Sequence, residues 1–575
     1  MVSKQFILNM INKFFLFIEH LSFIVTFFGI MLLITFLTTG SEFLVIHFLD
    51  TIFIFIIVNK IIYGFFNIAY QKGVQNKLTE LLFGILLLLF YLAIRYILEL
   101  DLPEGLKAVF EKFAIFLRAI TYFIYLVINK EKILFYTKTI RLNPAQTFTF
   151  GFIFLIMLGI WLLSLPYATV KPVAFEDRVF ISTSAVCVTG LATIDISTHF
   201  TLFGQSVILF LIQAGGLSIV TLYNFLLIFS GEKIEFRQRR FLLELFNQKN
   251  FQILKKLLNM IILSTLVIEL IGAFLIFISI SGMEMPQRIF FSIFHSISAF
   301  CNAGFSTLPD SLMTYYSYFN INVIIIGLII AGGIGFPVLF ELKENLFRRK
   351  KYSLNTRIIL IMTLILILLG TFMFFVEEYH HALKDLNIFD KFLASLFQSV
   401  TTRTAGFNTI DFSNLQPTTY LWTIVLMFIG ASPASIGGGL KTTTFFLNIA
   451  LIYTIFKKQN QEVTLFQRKI NNDIFLTAAF LFFSRAGFIF LFTMVLFYNE
   501  TIDLLKILFE VVSAFSTVGL STGITSSLSV SSKYIIVFTM FIGRIGILNM
   551  LHVFSKNKAG AENNFEYPEG YILTE

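Results

Sequence analysis

Four short segments share a pattern that could bind a cation through main-chain oxygens. Each has a run of small or β-branched residues, then one glycine, then a large apolar residue. The segments are Ser184–Leu191, Ser298–Phe305, Val400–Phe407 and Ser513–Leu520. A cation that crosses lipid must shed its water, and a ring of backbone carbonyls can replace that hydration shell. Glycine permits the backbone angles that turn such carbonyls toward one axis.

The spacing of these segments indicates a repeated membrane unit. Their glycines recur every ~100–115 residues, a period too long for a solenoid. Each glycine follows an apolar run too short to cross a bilayer of ~30 Å, so we predict a re-entrant pore helix before each one. Three residues of each segment are predicted to form a shared filter. They are Val188, Thr189, Gly190, Asn302, Ala303, Gly304, Thr404, Ala405, Gly406, Thr517, Val518 and Gly519.

The composition places the chain among membrane proteins. Its 575 residues are 57% hydrophobic and 13% charged, with 74 phenylalanines, whereas soluble domains are ~25% charged. The net charge of +9 lies in short segments between apolar runs, which is not the pattern of a nucleic-acid-binding protein. The sequence has no P-loop, no Cys/His metal spacing and no catalytic constellation. We therefore predict an all-α polytopic membrane protein that is not an enzyme and binds no nucleic acid.

Each repeat must supply an outer span, a pore helix, a filter loop and an inner span, in a pseudo-fourfold arrangement. About four further spans precede the repeats, near residues 21–39, 43–66, 79–98 and 106–128. The predicted units are 1–140 for this N-terminal extension, 141–232, 233–350, 351–460 and 461–555 for the four repeats, and 556–575 for a cytoplasmic tail. Basic residues concentrate in candidate inner loops such as Arg348–Lys351, so both termini are expected in the cytoplasm and the glycine turns outside.

A glycine- and proline-rich stretch interrupts the predicted inner span of repeat three. Pro433 and three consecutive glycines cannot continue a stable helix. We predict a flexible loop beneath the filter that acts as a gate; a simple kink is the alternative. Arg544 is expected to donate to this loop, because an unpaired arginine near the bilayer centre costs ~2.5–3.5 kcal/mol on insertion scales. The predicted gate residues are Ser432, Pro433, Ser435, Gly437, Gly438, Gly439, Lys441 and Arg544.

Other polar residues near these motifs receive structural interpretations. Glu510, in the fourth pore helix, is expected to accept from a nearby donor. Asp195 could cap a helix or lie at the outer mouth, and these two roles stay open. Arg403 is predicted to brace the third filter loop, since a cation in the permeation path would raise the barrier. As a hypothesis, Arg485 forms an ion pair with Glu269 of another outer span.

The two cysteines occupy equivalent places in the first two repeats. Cys187 and Cys301 each stand three residues before a repeat glycine, so equivalent quarters of a ring could bring them near each other. We predict small, buried pore-helix residues and no disulfide, because free cysteine behaves as a small apolar side chain.

Taken together, the motifs resemble those of Trk/Ktr-type potassium-uptake subunits. The stretches that resemble the family's four filters, gating loop and arginine beneath the filter are Thr189–Leu191, Phe300–Phe305, Thr402–Asn408, Ser516–Ser521, Ser432–Thr444 and Gly543-Arg544. The resemblance covers residues 143–575. It implies potassium uptake across a bacterial plasma (inner) membrane, with K⁺ bound at the filter carbonyls and no covalent cofactor.

The resemblance also implies partners. They are a second copy of the chain, forming a homodimer with one pore per protomer, and a cytosolic RCK-type regulatory subunit of the TrkA/KtrA kind. ATP/ADP or NAD(H) would act only through that subunit. In plant relatives, serine at the first filter glycine accompanies sodium transport, so Gly190 favours potassium. Two alternatives remain: a sodium-permeable or Na⁺/H⁺-coupled cation transporter on the same scaffold, and a non-conducting membrane sensor or assembly subunit.

Overall fold

The protein is almost entirely helical wherever its structure is described. The computed structural model describes residues 144–217, 251–348, 352–457, 464–465 and 468–554. The one strand pair within these ranges is antiparallel and two residues long on each side, β1 (Thr464–Leu465) and β2 (Arg468–Lys469). The chain divides into two compact units, Met1–Arg141 and Leu142–Glu575. The predicted N-terminal spans and the predicted C-terminal tail lie outside the described residues.

Each described repeat begins with an outer helix, continues with a pore helix and ends with an inner helix, which is in two parts in repeats two, three and four. Repeat one contains α1 (Pro144–Leu163), the pore helix α2 (Phe175–Val186), the short α3 (Ile196–His199) and α4 (Leu202–Leu217). Repeat two contains α5 (Phe251–Ser279), the pore helix α6 (Met285–Phe300), α7 (Phe319–Gly333) and α8 (Phe336–Arg348). Repeat three contains α9 (Leu354–Glu377), the pore helix α10 (Ile388–Thr401), α11 (Pro417–Phe428) and α12 (Thr442–Phe456). Repeat four contains α13 (Asn472–Asn499), the pore helix α14 (Leu504–Phe515), α15 (Val530–Ile545) and α16 (Ile547–Phe554).

The starts of these helices follow local sequence signals. Proline stands in the first turn of α6 and of α11, where its missing N–H removes no helical hydrogen bond. Ser529 caps α15 by accepting from Ser532 N at 3.4 Å. Glu500 accepts from Ser529 N at 2.8 Å and thereby ties this start to the end of α13. Partial burial alone would raise the pKa of Glu500, but hydrogen bonds from Ser529 and Ser532 hold that pKa below its usual range.

The inner helices are bent or broken, so the eight predicted core spans are not all single helices. Gly335, with φ +98°, lies at a bend of 103° between α7 and α8. Gly546, with φ +84°, lies at a bend of 92° between α15 and α16. Three described helices, Asn259–Ser279, Leu354–Glu377 and Asn472–Asn499, are long and apolar enough to cross a membrane, and the number rises to five if each bent pair is one span.

The described repeats expose apolar side chains and bury polar ones, as expected for a protein surrounded by lipid. Large apolar side chains are exposed on the outer helices, as at Leu263 (61% exposed) and Phe483 (70% exposed). The pore helices, by contrast, bury hydroxyl groups such as those of Ser184, Ser298 and Ser513. Since buried polar groups need partners and lipid offers none, this distribution favours polar contacts between helices inside the protein.

A serine of the pore helix fastens it to the outer helix in three repeats. The hydroxyl of Ser182 donates to Ile156 O at 2.8 Å, that of Ser296 to Glu269 O at 2.6 Å, and that of Ser399 to Ile367 O at 2.7 Å. A glycine of the outer helix faces each serine and leaves room for it. These glycines are Gly159, Gly272 and Gly370. In repeat four, no atom of the described residues lies within 4 Å of a Cβ built on Gly487, so space is open there.

A glycine of the inner helix packs against the end of the pore helix, again in three repeats. A Cβ at Gly215, Gly332 or Gly543 would overlap the carbonyl of the last pore-helix residue of the same repeat. Those carbonyls belong to Val186, Phe300 and Phe515. Inner and pore helices therefore touch main chain to main chain, which fixes the height of each pore-helix end.

An ion pair joins the first repeat to the last. Lys533 Nζ, in the first turn of α15, lies 2.7 Å from Asp177 Oδ1, in the first turn of α2, and the two side chains are 12% and 11% exposed. Because the partners stand 356 positions apart in the chain, the contact closes the circle of repeats.

The inner-helix contact predicts that Gly543→Ala destabilises the protein. The new Cβ would overlap Phe515 O, and overpacking costs about 1–3 kcal/mol. Gly487→Ala is the matched control, because it brings the same gain in helix propensity of ~1 kcal/mol at a position with open space. Thermal unfolding of the purified protein should show a lower Tm for Gly543→Ala and no loss for Gly487→Ala. Equal melting temperatures would contradict the packing argument.

Candidate ion-conduction site

The four filter segments adopt one backbone pattern. In each, the glycine and the residue two positions before it have positive φ, with an ordinary residue between them. The pairs are Val188 (56°) and Gly190 (98°), Asn302 (55°) and Gly304 (69°), Thr404 (85°) and Gly406 (81°), and Thr517 (52°) and Gly519 (95°). Positive φ is strained for a residue other than glycine. Its recurrence at four equivalent positions indicates that the geometry is imposed by the site.

The four glycines close a ring. A Cβ built on Gly190 would lie 3.2 Å from Gly304 Cα, and one on Gly304 would lie 3.0 Å from Gly406 Cα. A Cβ on Gly406 would lie 3.1 Å from Gly519 Cα, and one on Gly519 would lie 3.0 Å from Gly190 Cα. Each of these Cβ atoms would also crowd the carbonyl oxygen just before the next glycine. Those oxygens belong to Ala303, Ala405, Val518 and Thr189. The repeats therefore follow one another around a common axis in chain order.

Each pore helix holds its own filter segment by hydrogen bonds. The N–H before the ring glycine donates to Ser184 O, Ser298 O and Ser513 O at 2.8 Å in repeats one, two and four. Ser184 Oγ and Ser513 Oγ also accept from the glycine N–H at 3.1 Å. Repeat three has one more residue between helix and glycine, and there Ala405 N donates to Thr401 O at 2.9 Å. The sequence analysis included these serines at the start of the segments but gave them no role. Their signal is a serine six residues before the glycine.

A second set of polar side chains ties the pore helices to the chain that follows the filter. His295 Nε2 lies 2.9 Å from Ser306 Oγ, and Gln398 Nε2 donates to Thr409 Oγ1 at 3.0 Å. The Thr525 hydroxyl donates to Glu510 in repeat four. The prediction that Glu510 is a structural partner of a nearby donor is thus confirmed. His295 and Gln398 had drawn no prediction, because their partners follow the glycine and are not visible in a helical pattern.

A cavity of about 260 Å³ opens above the ring. It is lined by the four ring glycines, by Asp195, and by Leu191, Phe305 and Leu520, which follow three of the glycines. Asp195 also caps α3, since its Oδ1 accepts from Ser197 N at 2.9 Å, so it has both of the roles left open. Arg403 lies away from this cavity, in a small gap with Ile330 and Thr363, and its Nε has no partner among the described residues.

The 429–441 loop lies on the other side of the ring, directly against the filter. A Cβ on Gly437 would overlap the Thr404 hydroxyl, and one on Gly438 would overlap that of Thr517. The loop is held to repeat two, because Ser432 N donates to Gly333 O at 3.0 Å and Ile436 N to Gly332 O at 3.3 Å. The interruption is thus a compact loop that fills the axis beneath the ring, and more than a kink.

The other predicted gate residues lie in this loop or beside it, where they make hydrogen bonds and close contacts that stabilise it. Ser435 Oγ donates to Ser432 O at 2.6 Å, and Lys441 Nζ donates to Gly437 O at 2.7 Å. Pro433 O lies against Gly335 of repeat two, and Gly439 packs on Gly430. The loop is therefore packed closely both near Pro433 and near Gly439.

Arg544 joins the loop to two other repeats. Its Nη1 donates to Ile436 O of the loop, and its Nη2 donates to Gly215 O of α4 at 2.7 Å. The predicted contact between Arg544 and the loop is present. A cavity of about 250 Å³ lies below, lined by the loop glycines, Lys441, Arg485 and Arg544.

The hypothetical pair of Arg485 and Glu269 is wrong. Glu269 Oε2 accepts from Gln213 Nε2 at 3.2 Å, and its Oε1 lies 3.9 Å from Cys301 Sγ. Arg485 instead lines the cavity below the loop. The error has a simple cause, because helix periodicity gives the depth of a side chain but not which neighbouring repeat it faces. Cys187 and Cys301 are buried and free, as predicted.

Comparisons with known proteins agree with this arrangement. The family profile TrkH, "Cation transport protein", matches residues 118–566. The chain is 39% identical to "Ktr system potassium uptake protein B" of Bacillus subtilis over 78% of this chain and 100% of that protein. It is 36% identical to "Potassium/sodium uptake protein NtpJ" of Enterococcus hirae over 75% of this chain and 97% of that protein. The structure of the potassium transporter TrkH from Vibrio parahaemolyticus aligns with a TM-score of 0.58 at 19% identity, over 82% of this chain and 97% of that chain.

The contact between neighbouring ring glycines predicts that Gly519→Ala destabilises the protein more than the same substitution at a glycine outside the ring. Gly519 and Gly523 have similar backbone angles, φ +95° and +89°, so alanine brings the same strain of about 1–2 kcal/mol at either position. Only at Gly519 would the Cβ also meet the main chain of repeat one, since Gly523 has just Ser413 Cβ at 3.9 Å nearby. Thermal unfolding should show a clearly lower Tm for Gly519→Ala than for Gly523→Ala. Similar losses for the two variants would mean that the ring is loosely packed.

Proposed function

Because this chain belongs to the TrkH family of cation transport proteins, we propose that it takes potassium ions into the cell through a central pore. The selectivity filter of this pore is the ring of Gly190, Gly304, Gly406 and Gly519 with the residues before them. The proposal rests above all on the closed contact of these four loops, which gathers main-chain carbonyls around one axis. Such oxygens can stand in for the water of a dehydrated cation.

Two further observations support a cation in the filter. The four pore helices end four or five residues before the ring glycines, so their partly negative C-terminal ends surround the path. The hydroxyls of Thr189 and Thr517 are buried in the filter, and neither has a hydrogen-bond partner among the residues that the structure describes. An unpaired buried oxygen is costly, and a bound cation would supply the missing contact. The same features disfavour an anion.

Gating is assigned to the 429–441 loop. In the described conformation it fills the space against Thr404 and Thr517, where an ion leaving the filter must pass. Arg544, bonded to Ile436 O and Gly215 O, adds positive charge beneath the filter. Opening requires the loop to leave the axis, and its glycines give it the backbone freedom to do so.

Direction and regulation complete the proposal. With the filter outside and the basic loops in the cytoplasm, a membrane potential drives K⁺ inward with ~2.3 kcal/mol per charge per 100 mV. We further propose a homodimer in the bacterial plasma membrane, switched by a cytosolic RCK-type subunit that binds ATP/ADP or NAD(H). The name of the Bacillus relative, which places that protein in a Ktr system, is consistent with such a partner.

The main competing proposal is sodium permeation or coupling. The name of the Enterococcus relative includes both ions. Potassium is favoured here because all four ring positions are glycine, which leaves the full set of carbonyls available. A non-conducting sensor on the same scaffold would have no use for four converging glycine loops.

Uptake in a host that lacks its own potassium transporters tests the filter. The intact chain, expressed with its regulatory partner, should restore growth at low K⁺ and take up ⁸⁶Rb⁺. Gly519→Ser should abolish both, because its side chain would fall on Thr189 O in the ring. Gly487→Ser, at an open position in the same repeat, should retain uptake at equal protein level. Failure of the intact protein to rescue would favour the sensor, and Na⁺ uptake equal to Rb⁺ uptake would favour the competing proposal.

Removing the arginine charge tests the gate. Arg544→Gln should raise flux without the regulatory subunit by about tenfold, since a unit charge near the path adds a barrier on the order of 1–2 kcal/mol at an effective dielectric constant of ~20, and ~1.4 kcal/mol is a factor of ten in rate. Arg288→Gln is the control, because Arg288 Nε binds Phe277 O at 2.7 Å, at the start of a pore helix and far in sequence from the loop. Flux into liposomes that hold the purified protein gives the comparison. An unchanged rate in Arg544→Gln would remove its gating role.

A further inference from the structure

The cavity below the 429–441 loop, here called the basic cavity, collects positive charge. Lys441, Arg485 and Arg544 line it, and no acidic residue does so among the described residues. Because the three groups line one cavity of about 250 Å³, each is within electrostatic reach of the other two. Three basic groups without a counter-ion in a low-dielectric site are costly, because an uncompensated buried charge is strongly destabilising.

Arg485 is the least satisfied of the three. Lys441 donates to Gly437 O and Arg544 to two carbonyls, whereas Arg485 makes no hydrogen bond to any residue that the structure describes. Its Nε is buried without a partner, and its side chain reaches the cavity wall. The one buried carboxylate considered for it, Glu269, binds Gln213 instead. A guanidinium keeps its charge in proteins, so Arg485 can donate to an anion in this cavity.

The backbone around the basic cavity is also suited to an anion. Gly437, Gly438 and Gly439 line it, and so does Lys441, which stands directly before helix α12. Without side chains, glycines let a backbone approach an anion closely, and a lysine supplies a positive charge. A glycine-rich turn followed by a lysine is a combination with which proteins bind phosphate groups.

We propose that the basic cavity binds a phosphate-class anion through Arg485 and Lys441, beside the glycine-rich turn of Gly437, Gly438 and Gly439. The cavity of about 250 Å³ has room for a phosphate group with some of its hydration. Its other walls include Phe148, Phe152 and Phe336, which suit the first carbons of an acyl chain. The anion is therefore either a lipid phosphate or free inorganic phosphate, and both share the same contacts.

Bound anion would act on the pore. By offsetting the charges of Lys441, Arg485 and Arg544, it would lower the barrier to a cation that leaves the filter. It would also hold Lys441, and hence the end of the 429–441 loop, away from Gly437 O. This functional consequence rests on the proposed potassium pore, whereas binding itself does not.

Binding is tested on the purified full chain by ligand-induced shifts in Tm. The probes are inorganic phosphate, dioctanoyl phosphatidic acid and, as a zwitterionic control, dioctanoyl phosphatidylcholine. We expect a concentration-dependent rise in Tm with phosphatidic acid, with inorganic phosphate or with both, and none with phosphatidylcholine. Arg485→Gln should weaken the apparent affinity about tenfold or more, the loss expected for one charge-assisted hydrogen bond. A response to phosphatidic acid alone identifies a lipid, and a response to both identifies the phosphate group.

Matched variants separate a site from a general charge effect. Arg403→Gln removes another buried guanidinium whose Nε lacks a partner, but in a different cavity without a glycine loop. It should leave the ligand-induced shift unchanged. If Arg485→Gln does not fold, Lys441→Gln provides the same measurement. No shift with either anion, or equal shifts in Arg485→Gln and the intact protein, would overturn the proposal.

Flux into liposomes separates failure of this proposal from failure of the pore. K⁺ flux should rise severalfold with phosphatidic acid in the membrane or phosphate on the loop side, and Arg485→Gln should lose this dependence. Flux that is present but independent of both anions would refute the anion site and leave the pore intact. Absence of flux together with an anion-induced Tm shift would refute the pore and leave the site.

Discussion

Main-chain contact between neighbouring repeats is the constraint on which this architecture depends. The carbonyls before Gly190, Gly304, Gly406 and Gly519 can share one axis only if each loop approaches the next without an intervening side chain. Because the four loops are already in main-chain contact, a shift of one pore helix along the axis would open the ring. The other close contacts of the described repeats serve this requirement. Inner-helix glycines set the ends of the pore helices, and serine hydroxyls fasten them to the outer helices.

Lipid explains why these fastenings are polar. Apolar burial cannot drive helices together in a solvent that is itself apolar, so close packing and hydrogen bonds must do so. The contact of Ser182 with Ile156 O, accommodated by Gly159, combines both in one place. It occurs in three repeats and is missing in the fourth, where a Cβ on Gly487 would meet no described atom within 4 Å. Repeat four keeps the other kind of polar tie, from the pore helix to the chain after the filter, through Glu510 and Thr525.

The sequence alone predicted the repeated helices and turns, but it missed several contacts between side chains of different repeats. The four glycine turns after short apolar runs predicted the pore helices, and Pro433 with three consecutive glycines predicted the interrupted span, because local backbone chemistry decides both. The contact of Arg544 with the loop followed from the cost of an unpaired charge at mid-membrane. The partner of Arg485 was wrong, and the serines that hold the filter were overlooked, because these depend on the order of repeats around the axis. The bends at Gly335 and Gly546 were also missed, since a single glycine in an apolar run does not reveal an angle.

The inequality of the repeats explains how a ring of four similar loops can have the one-sided gate that we propose. Repeat three differs from the others at two linked places, the extra residue before Gly406 and the 429–441 loop in its inner span. The hydroxyl of Thr404, two positions before Gly406, is the group that meets Gly437 of that loop. Repeats one and four contribute Gly215 O and Arg544, which hold the loop from the opposite side. A loop anchored in one repeat and restrained by its neighbours can move without moving the pore helices. Movement of a symmetric gate would instead disturb all four inner helices, and with them the glycine contacts that set the height of the ring.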